Sequence, residues 1–425
     1  MAPRRRLRTR LAGVFLFRPL LTRLRLDQRV ERPGSPRSAM IPAAAALLSL
    51  LALKRLDKER RSPGNDVNFD EALGLWAGLN VLPQKSFLTA SSDRGDRSHQ
   101  RALLTGWVAG LSGLRCEQAQ SFALDVQPIP YRGQATGLER PYLPLAGKAT
   151  PSVRSFCAVE PDRRVWCDAN AHLTRPEQAG AVFRFVAFWQ ELTGSDPTWL
   201  SFDSKVSTYP ELCRLNQGGV CVVTIRRRGA AVVRRLRPVP AHGGPKAVMD
   251  TPKRCQQHLR YVEERSHLPG DAGEVRQVAV DGLGTEPPTL LLSNNLQGTA
   301  RNLLIGSAGR TRVEDGLGPC VHFFPLDCLA SAVRLNVDLD AALTVWAQGC
   351  DRWLGKQLQG FAKATPKQWY RRFVETGGVV VVEEDRLVVH LDRRSHNPIL
   401  REAALDRDAP AIPWLQNRAI NFYYS

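Results

Sequence analysis

Between residues 119 and 228 the chain changes its hydrophobic period in a fixed order, and that order limits the fold more than any single residue does. Three alternating runs predict strands in succession, SFALDV, SVRSFCAVE and RRVWCDANAHL. A long amphipathic segment follows, PEQAGAVFRFVAFWQEL, with Pro176 at its start, where a helix tolerates proline. WLSFDS then reads as a strand, TYPELCRLNQ as a helix and VCVVTIRR as a strand. The predicted order is βββαβαβ.

The flanks differ in texture. Residues 1–40 carry eleven arginines against Asp27 and Glu31. Leu11, Val14, Phe15, Phe17, Leu20, Leu21, Leu24 and Leu26 are interleaved with them. That mixture predicts a basic amphipathic helix, an N-terminal arm suited to a DNA backbone or a membrane surface. PGSPRS, from Pro33 to Ser38, breaks it. Residues 41–118 read as a helical domain, with Asp70 as a cap for DEALGLWAGL. Residues 229–288 are rich in Arg, Pro and Gly with short β-like pieces, the texture of a β-rich insertion. From 289 to 376 a buried strand, TLLLSNN, precedes two helices, TARNLLIGSAGRTRVEDGLG and LDAALTVWAQGCDRWLGKQL. Residues 377–425 contain a β-hairpin, GGVVVVEEDRLVVHLDRR, with EED at its turn.

Composition narrows the partners. A chain of 425 residues suggests two or three structural units. Lys and Arg number 59 against 41 Asp and Glu, a net charge of +18 that favours a polyanion. Nine cysteines and eight histidines show no metal-ligand spacing, which points to a reducing compartment and away from a zinc site. The apolar run Ile41 to Leu53 falls short of the roughly 20 residues a membrane span needs, so it reads as a buried helix. The stretch MAPRRRLRTRLAGVFLF is broken by Arg18 and lacks a clean cleavage site, so it is not read as a signal peptide. The expected location is cytoplasmic, with no membrane partner. Trp189, Trp199 and Trp346 sit at apolar spacings and read as core.

A three-strand meander, a helix and a further strand, interrupted before a last helix, is the pattern of an RNase-H-like α/β core. In that architecture acids on the first and fourth strands lie side by side, and one on a late helix leans across. The candidates are Asp125, Asp203 and Glu314. Carboxylates suit Mg²⁺, a hard ion that takes oxygen ligands. Two such ions about 3.5–4 Å apart activate an attacking oxygen and stabilise the leaving one. Three acids far apart in sequence are a weak signal alone. A strand-end acid also commonly hydrogen-bonds a turn.

The run FDSKVSTYPELCRLNQGGVCVVTIRRRG resembles the second-aspartate region of DDE transposases from bacterial insertion sequences, in the branch whose RNase-H-like core is split by a β-rich insertion. FALDVQPIPYRG is similar to the first-aspartate strand, and LLLSNN then RTRVED to the approach to the catalytic glutamate. GVFLFRPLL, LLSLLALKRLDKERR and DEALGLWAGLNVLP resemble the helical N-terminal part. FFPLDCLASAVRLNVDLDAALTVWA and RRSHNPIL resemble the C-terminal region. The resemblance implies a catalytic and metal-binding triad of Asp125, Asp203 and Glu314 holding two Mg²⁺ ions, with Mn²⁺ as a substitute. It implies that Arg310 positions a phosphate, and a homodimer on paired DNA ends. Arg226, Arg227 and Arg228 would reach DNA phosphates, where each neutralised charge adds affinity. The family's Tyr-x-x-Arg-x-x-x-Glu motif is departed from at Ser307, and its following Lys position holds Val321. The expected activity is cutting double-stranded DNA at terminal inverted repeats and joining the ends to target DNA. The alternatives are a degenerate transposase that only binds DNA, and a structure-specific nuclease with the same core.

Overall fold

The computed structural model describes residues 5–31, 37–56, 67–93, 96–110, 118–131, 138–143, 147–226, 229–236, 246–251, 254–268, 273–281, 288–307, 323–324 and 334–425. Strand β1 (Arg5–Thr9), a 3₁₀ turn (Ala12–Phe17) and helices α1 (Arg18–Arg23) and α2 (Leu26–Val30) come first. Helices α3 (Ala43–Lys54), α4 (Glu71–Trp76), α5 (Lys85–Asp93) and α6 (Arg97–Gly110) follow. Next are β2 (Ser121–Pro130), the short pair β3 (Tyr142–Leu143) and β4 (Lys148–Ala149), β5 (Ser152–Glu160) and β6 (Val165–Leu173). Helix α7 (Arg175–Thr193), β7 (Trp199–Phe202), α8 (Tyr209–Gln217) and β8 (Cys221–Ile225) complete the predicted βββαβαβ order. Helix α9 (Ala230–Leu236) precedes β9 (Lys246–Thr251), β10 (Arg254–His267), β11 (Glu274–Asp281) and β12 (Thr289–Ser293). Helices α10 (300–307), α11 (Arg334–Gln357) and α12 (Pro366–Trp369) lead to β13 (Gly378–Val382), β14 (Arg386–Leu391), α13 (Asn397–Ala403) and β15 (Ala419–Tyr424).

The fold is mixed α/β. Among the described residues nine strands form one sheet, in the order β6-β5-β2-β7-β8-β12-β11-β10-β9. Strands β6, β5 and β2 are antiparallel neighbours. Strands β2, β7 and β8 run parallel, because α7 and α8 are the crossovers that parallel pairing requires. From β8 outward to β9 every pairing is antiparallel. The segment read as β-rich therefore extends the same sheet.

Local signals explain the helices that hold this sheet. A reciprocal Thr174–Glu177 capping box starts α7, and Gly194, at φ 75°, ends it. Phe185 and Trp189 of α7 meet Phe122 of β2 at centroid distances of 5.0 and 4.4 Å. Helix α11 covers the edge strand β6. The outward amides of Trp166 and Ala171 donate to Gln348 Oε1 (3.2 Å) and Asp338 Oδ1 (2.9 Å), so this edge is closed to further pairing. Trp107 of α6 stacks on Trp346 at 4.9 Å, which places Trp346 in the core as its spacing predicts. Helix α3 is buried on all sides, and among the described residues no helix is long and apolar enough to cross a membrane.

The N-terminal segment corrects the sequence reading. Residues 5–30 do not form one basic amphipathic helix. Strand β1 pairs with β13, from Arg5 beside Val382 to Thr9 beside Gly378, inside a second sheet of order β1-β13-β14-β15. Val14, Phe15, Leu16 and Phe17 have no exposed surface. A Cβ on Gly13 would stand 1.6 Å from the Phe373 carbonyl oxygen, so only glycine permits this approach. The apolar residues between the arginines bury against the C-terminal half of the chain, and part of the charge goes with them. Arg18 is wholly buried, its guanidinium between the rings of Trp76 (4.3 Å) and Trp414 (5.1 Å).

Candidate functional site

Strands β2 and β7 are in register from Ser121 beside Trp199 to Leu124 beside Phe202. The next residue on each strand is an acid, Asp125 and Asp203. Neighbouring strands lie about 4.8 Å apart, so the two carboxylates leave adjacent backbones at one height. Side chains alternate along a strand. Phe122, Leu124 and Phe202 point to the α7 side and are buried. Asp125 and Asp203 turn to the opposite face and are half-buried.

Helix α10 lies on that same opposite face. Its Leu303 and Leu304 pack with Leu291 and with Ile225 and Trp199, and Trp199 shares the parity of Asp203 on β7. Gly306 makes the approach possible, since a Cβ there would sit 2.4 Å from the Trp199 ring. Trp199 is thus half-buried beneath a helix, while Trp189 is in the main core.

Short local bonds orient both acids. Asp125 Oδ1 accepts from the Val126 amide (2.8 Å) and Oδ2 from Gln127 Nε2 (3.2 Å). Asp203 Oδ1 accepts from Ser204 Oγ (3.1 Å). Like charges on directly opposed strand positions destabilise each other unless a cation or proton intervenes. Two anionic oxygen donors at one height suit a hard divalent ion. Among the described residues no three Asp, Glu, His or Cys side chains gather to hold a metal ion. Of the three expected ligands, Asp125 and Asp203 lie among the described residues, and Glu314 lies outside them, as do Arg310, Val321, Arg227 and Arg228. Ser307 is the last described residue of α10, and its hydroxyl donates back to the Leu304 carbonyl (3.1 Å).

Arg226 lies one residue past the end of β8. Its amide donates to the Leu290 carbonyl (2.8 Å) and its guanidinium to Gln277 Oε1, so it is tied across three strands. Gln277 in turn donates to Glu264 (3.2 Å), which pairs with Arg235 (2.5 Å).

Two cavities were invisible in the sequence. One, of about 250 Å³, lies on the opposite face of the sheet from the acids, under the start of α8. Phe202, Thr224 and Leu292 form its floor as one cross-strand row, and Arg226 stands in its wall. In VCVVTIRR, Thr224 reads as one more β-branched residue, and nothing local marks its hydroxyl. The other, of about 330 Å³, lies among α6, α7, β6 and the start of α11. There Arg101 pairs with Asp168 (3.2 Å) and lies 3.5 Å over the Phe188 ring. Burial pushes the Asp168 carboxyl above its usual range, against the pull of Arg101.

No family model matches the chain, and no curated protein matches it. Among solved structures it is similar to the cryo-EM structure of the piggyBac transposase synaptic complex with hairpin DNA. The TM-score is 0.42 and the identity 12%, over 87% of this chain and 82% of that chain. That protein is a transposase. The likeness is too distant to assign an activity to this chain, and it points to no bacterial insertion-sequence branch.

Proposed function

We propose that this chain is a DDE-type DNA transposase with an RNase-H-like core, and that Asp125, Asp203 and Glu314 hold its metal ions. The observation that carries the reading is the placement of Asp125 and Asp203 one residue past the last register pair of two parallel strands. Strand directions support it: three antiparallel strands followed by two parallel ones, in the order β6-β5-β2-β7-β8. Ligands of open α/β sheets gather at the carboxyl ends of strands where the order reverses, and β2 beside β7 is such a point. Glu314 is eight residues past Gly306. That chain length reaches up to about 26 Å, against about 13 Å from Trp199 to Asp203 along β7.

The residues divide the work. Asp125 and Asp203 would hold Mg²⁺ or Mn²⁺ through oxygen, with Glu314 as the third ligand. The bound ions supply charge stabilisation for in-line displacement at phosphorus. Arg310 and the Arg226–Arg228 run would position the DNA backbone at the terminal repeats, and a homodimer would bring two ends together. The working compartment is the cytoplasm.

The test is Mg²⁺-dependent nicking of labelled duplexes carrying the DNA that borders the coding sequence. Wild type should nick, and Asp125→Asn and Asp203→Asn should not, while all three bind the duplex. Binding without nicking by wild type would leave the non-catalytic DNA-binding reading. Nicking without strand joining would leave a nuclease.

A further inference from the structure

We infer that the pocket under α8 is a nucleotide subsite, taking the ring into the cavity and the phosphate at Arg226. Above the floor of Phe202 and Leu292, its apolar walls are Tyr209 and Leu212. Its volume of about 250 Å³ is below the roughly 300–1,000 Å³ of sites for drug-sized ligands. One ring system fills such a space.

The polar groups choose the ligand. Ser204 and Ser207 also line the pocket, but both hydroxyls are committed, to Asp203 Oδ1 (3.1 Å) and the Thr208 carbonyl (3.3 Å). Thr224 is 5% exposed, and its Oγ1 has no hydrogen-bond partner among the described residues. A buried hydroxyl left unpaired is unfavourable, and a ring nitrogen or carbonyl oxygen entering the pocket would satisfy it. A hydroxyl both donates and accepts, so it selects no single base. At the wall, Arg226 spends one N–H on Gln277, and a guanidinium has five, which leaves donors for an anionic oxygen. A flat ring with one or two polar atoms and an anionic tail is a nucleotide. The net charge of +18 favours the same class.

Position ties this subsite to the acids. Ser204, which lines the pocket, follows Asp203 directly. If DNA is cut at Asp125 and Asp203, the pocket would hold an unpaired nucleotide on the other face of the sheet, past the strand end that carries Asp203. That clause rests on the transposase reading; binding of a free nucleotide does not.

The experiment is calorimetric titration of the full chain with dAMP, dGMP, dCMP and dTMP, and with inorganic phosphate alone. The nucleotides should bind, and phosphate more weakly than any of them. Thr224→Val keeps the shape and removes the hydroxyl. It should weaken nucleotide binding about three- to tenfold, as the loss of one hydrogen bond does, while raising Tm. Thr224→Ser should restore the affinity. Leu212→Trp, which fills the cavity from α8, should abolish binding with far-UV circular dichroism unchanged. The inference is overturned if no nucleotide binds, if phosphate matches the nucleotides, or if Thr224→Val binds as wild type does. Nucleotide binding without Mg²⁺-dependent nicking would sink the transposase reading and keep the pocket. Nicking without nucleotide binding would do the reverse.

Discussion

The two halves of the nine-stranded sheet are held by different forces. The inner half, β6 to β8, belongs to one apolar core that runs from Leu7 to Phe422 and draws in α3, α6, α7, α11 and the C-terminal sheet. Among the described residues the outer half gives Val275 and Leu292 to that core and adds two small clusters, one of Leu259, Val278, Val280, Leu291, Leu303 and Leu304, the other of Ala279 and Leu290. Charge makes up part of the difference there, through Arg276 with Glu263, Arg265 with Glu274 and Arg235 with Glu264. Burial is worth about 25 cal/mol per Å², whereas an exposed ion pair is worth about 0–1 kcal/mol. The inner half can therefore hold two like charges at fixed positions, and the outer half is free to vary its surface.

The strongest way to break this contrast is at the acids. Asp125→Asn or Asp203→Asn should lower nicking at least about a hundredfold, since even outer partners of metal ligands cost about 10–100-fold. The unfolding midpoint should hardly move. A variant that cuts at the wild-type rate removes its residue from the site.

Next comes the inner core. Arg55 and Asp351 form an ion pair at 2.5 Å with each side chain 2% exposed, and Arg55 also donates to the Ala347 carbonyl (2.8 Å) over the Phe17 ring. Asp351→Ala leaves a buried cation and should cost about 3–5 kcal/mol in urea unfolding. A loss below 1 kcal/mol would mean that the interior tolerates a lone charge.

A smaller effect lies at the end of β5. Glu160 is 2% exposed, and burial raises its carboxyl above the usual range. The folded protein then holds this proton more tightly than the unfolded chain does. Stability from Glu160 is greatest below the ordinary glutamate range and declines as pH rises through the raised value. Glu160→Gln should gain on wild type across that window and match it at lower pH; parallel stability curves would overturn this.

The smallest effect belongs to the outer half. Arg265 pairs with Glu274 at 2.9 Å, with side chains 62% and 39% exposed. Arg265→Ala should cost under about 1 kcal/mol, and nothing measurable in 1 M salt. A salt-independent loss of 2 kcal/mol would erase the distinction between the halves.

Local patterning made much of the inner half legible. The alternation of SFALDV and SVRSFCAVE, the apolar stripe of α7 and the tip acid of WLSFDS all lie within one turn or one strand of their cause. Distance in sequence hid the rest. Arg10 and Arg18 flank an apolar run whose partners, Phe373 and Gly378, are over 350 residues away, so the run reads as an isolated amphipathic helix. The tie of Arg226 to Gln277 is hidden because its acceptor is 51 residues on. Thr224 gave no sign at all, since an unpaired hydroxyl is a property of its neighbours. The adjacency of Asp125 and Asp203 needed the register of β2 against β7, which residue types alone do not specify.

The pairing of β1 with β13 sets a timetable for synthesis. Arg5 and Val382 stand side by side in the finished sheet. At roughly 5–20 residues per second a ribosome takes roughly 20–75 s to cover the stretch between them. Throughout that interval the AGVFLF segment has Trp76 and Arg55 beside it but lacks Phe373, Gly378 and the rest of the C-terminal surface that completes its enclosure. The N-terminal strand is therefore among the last pieces to find its place, although it is among the first to be made.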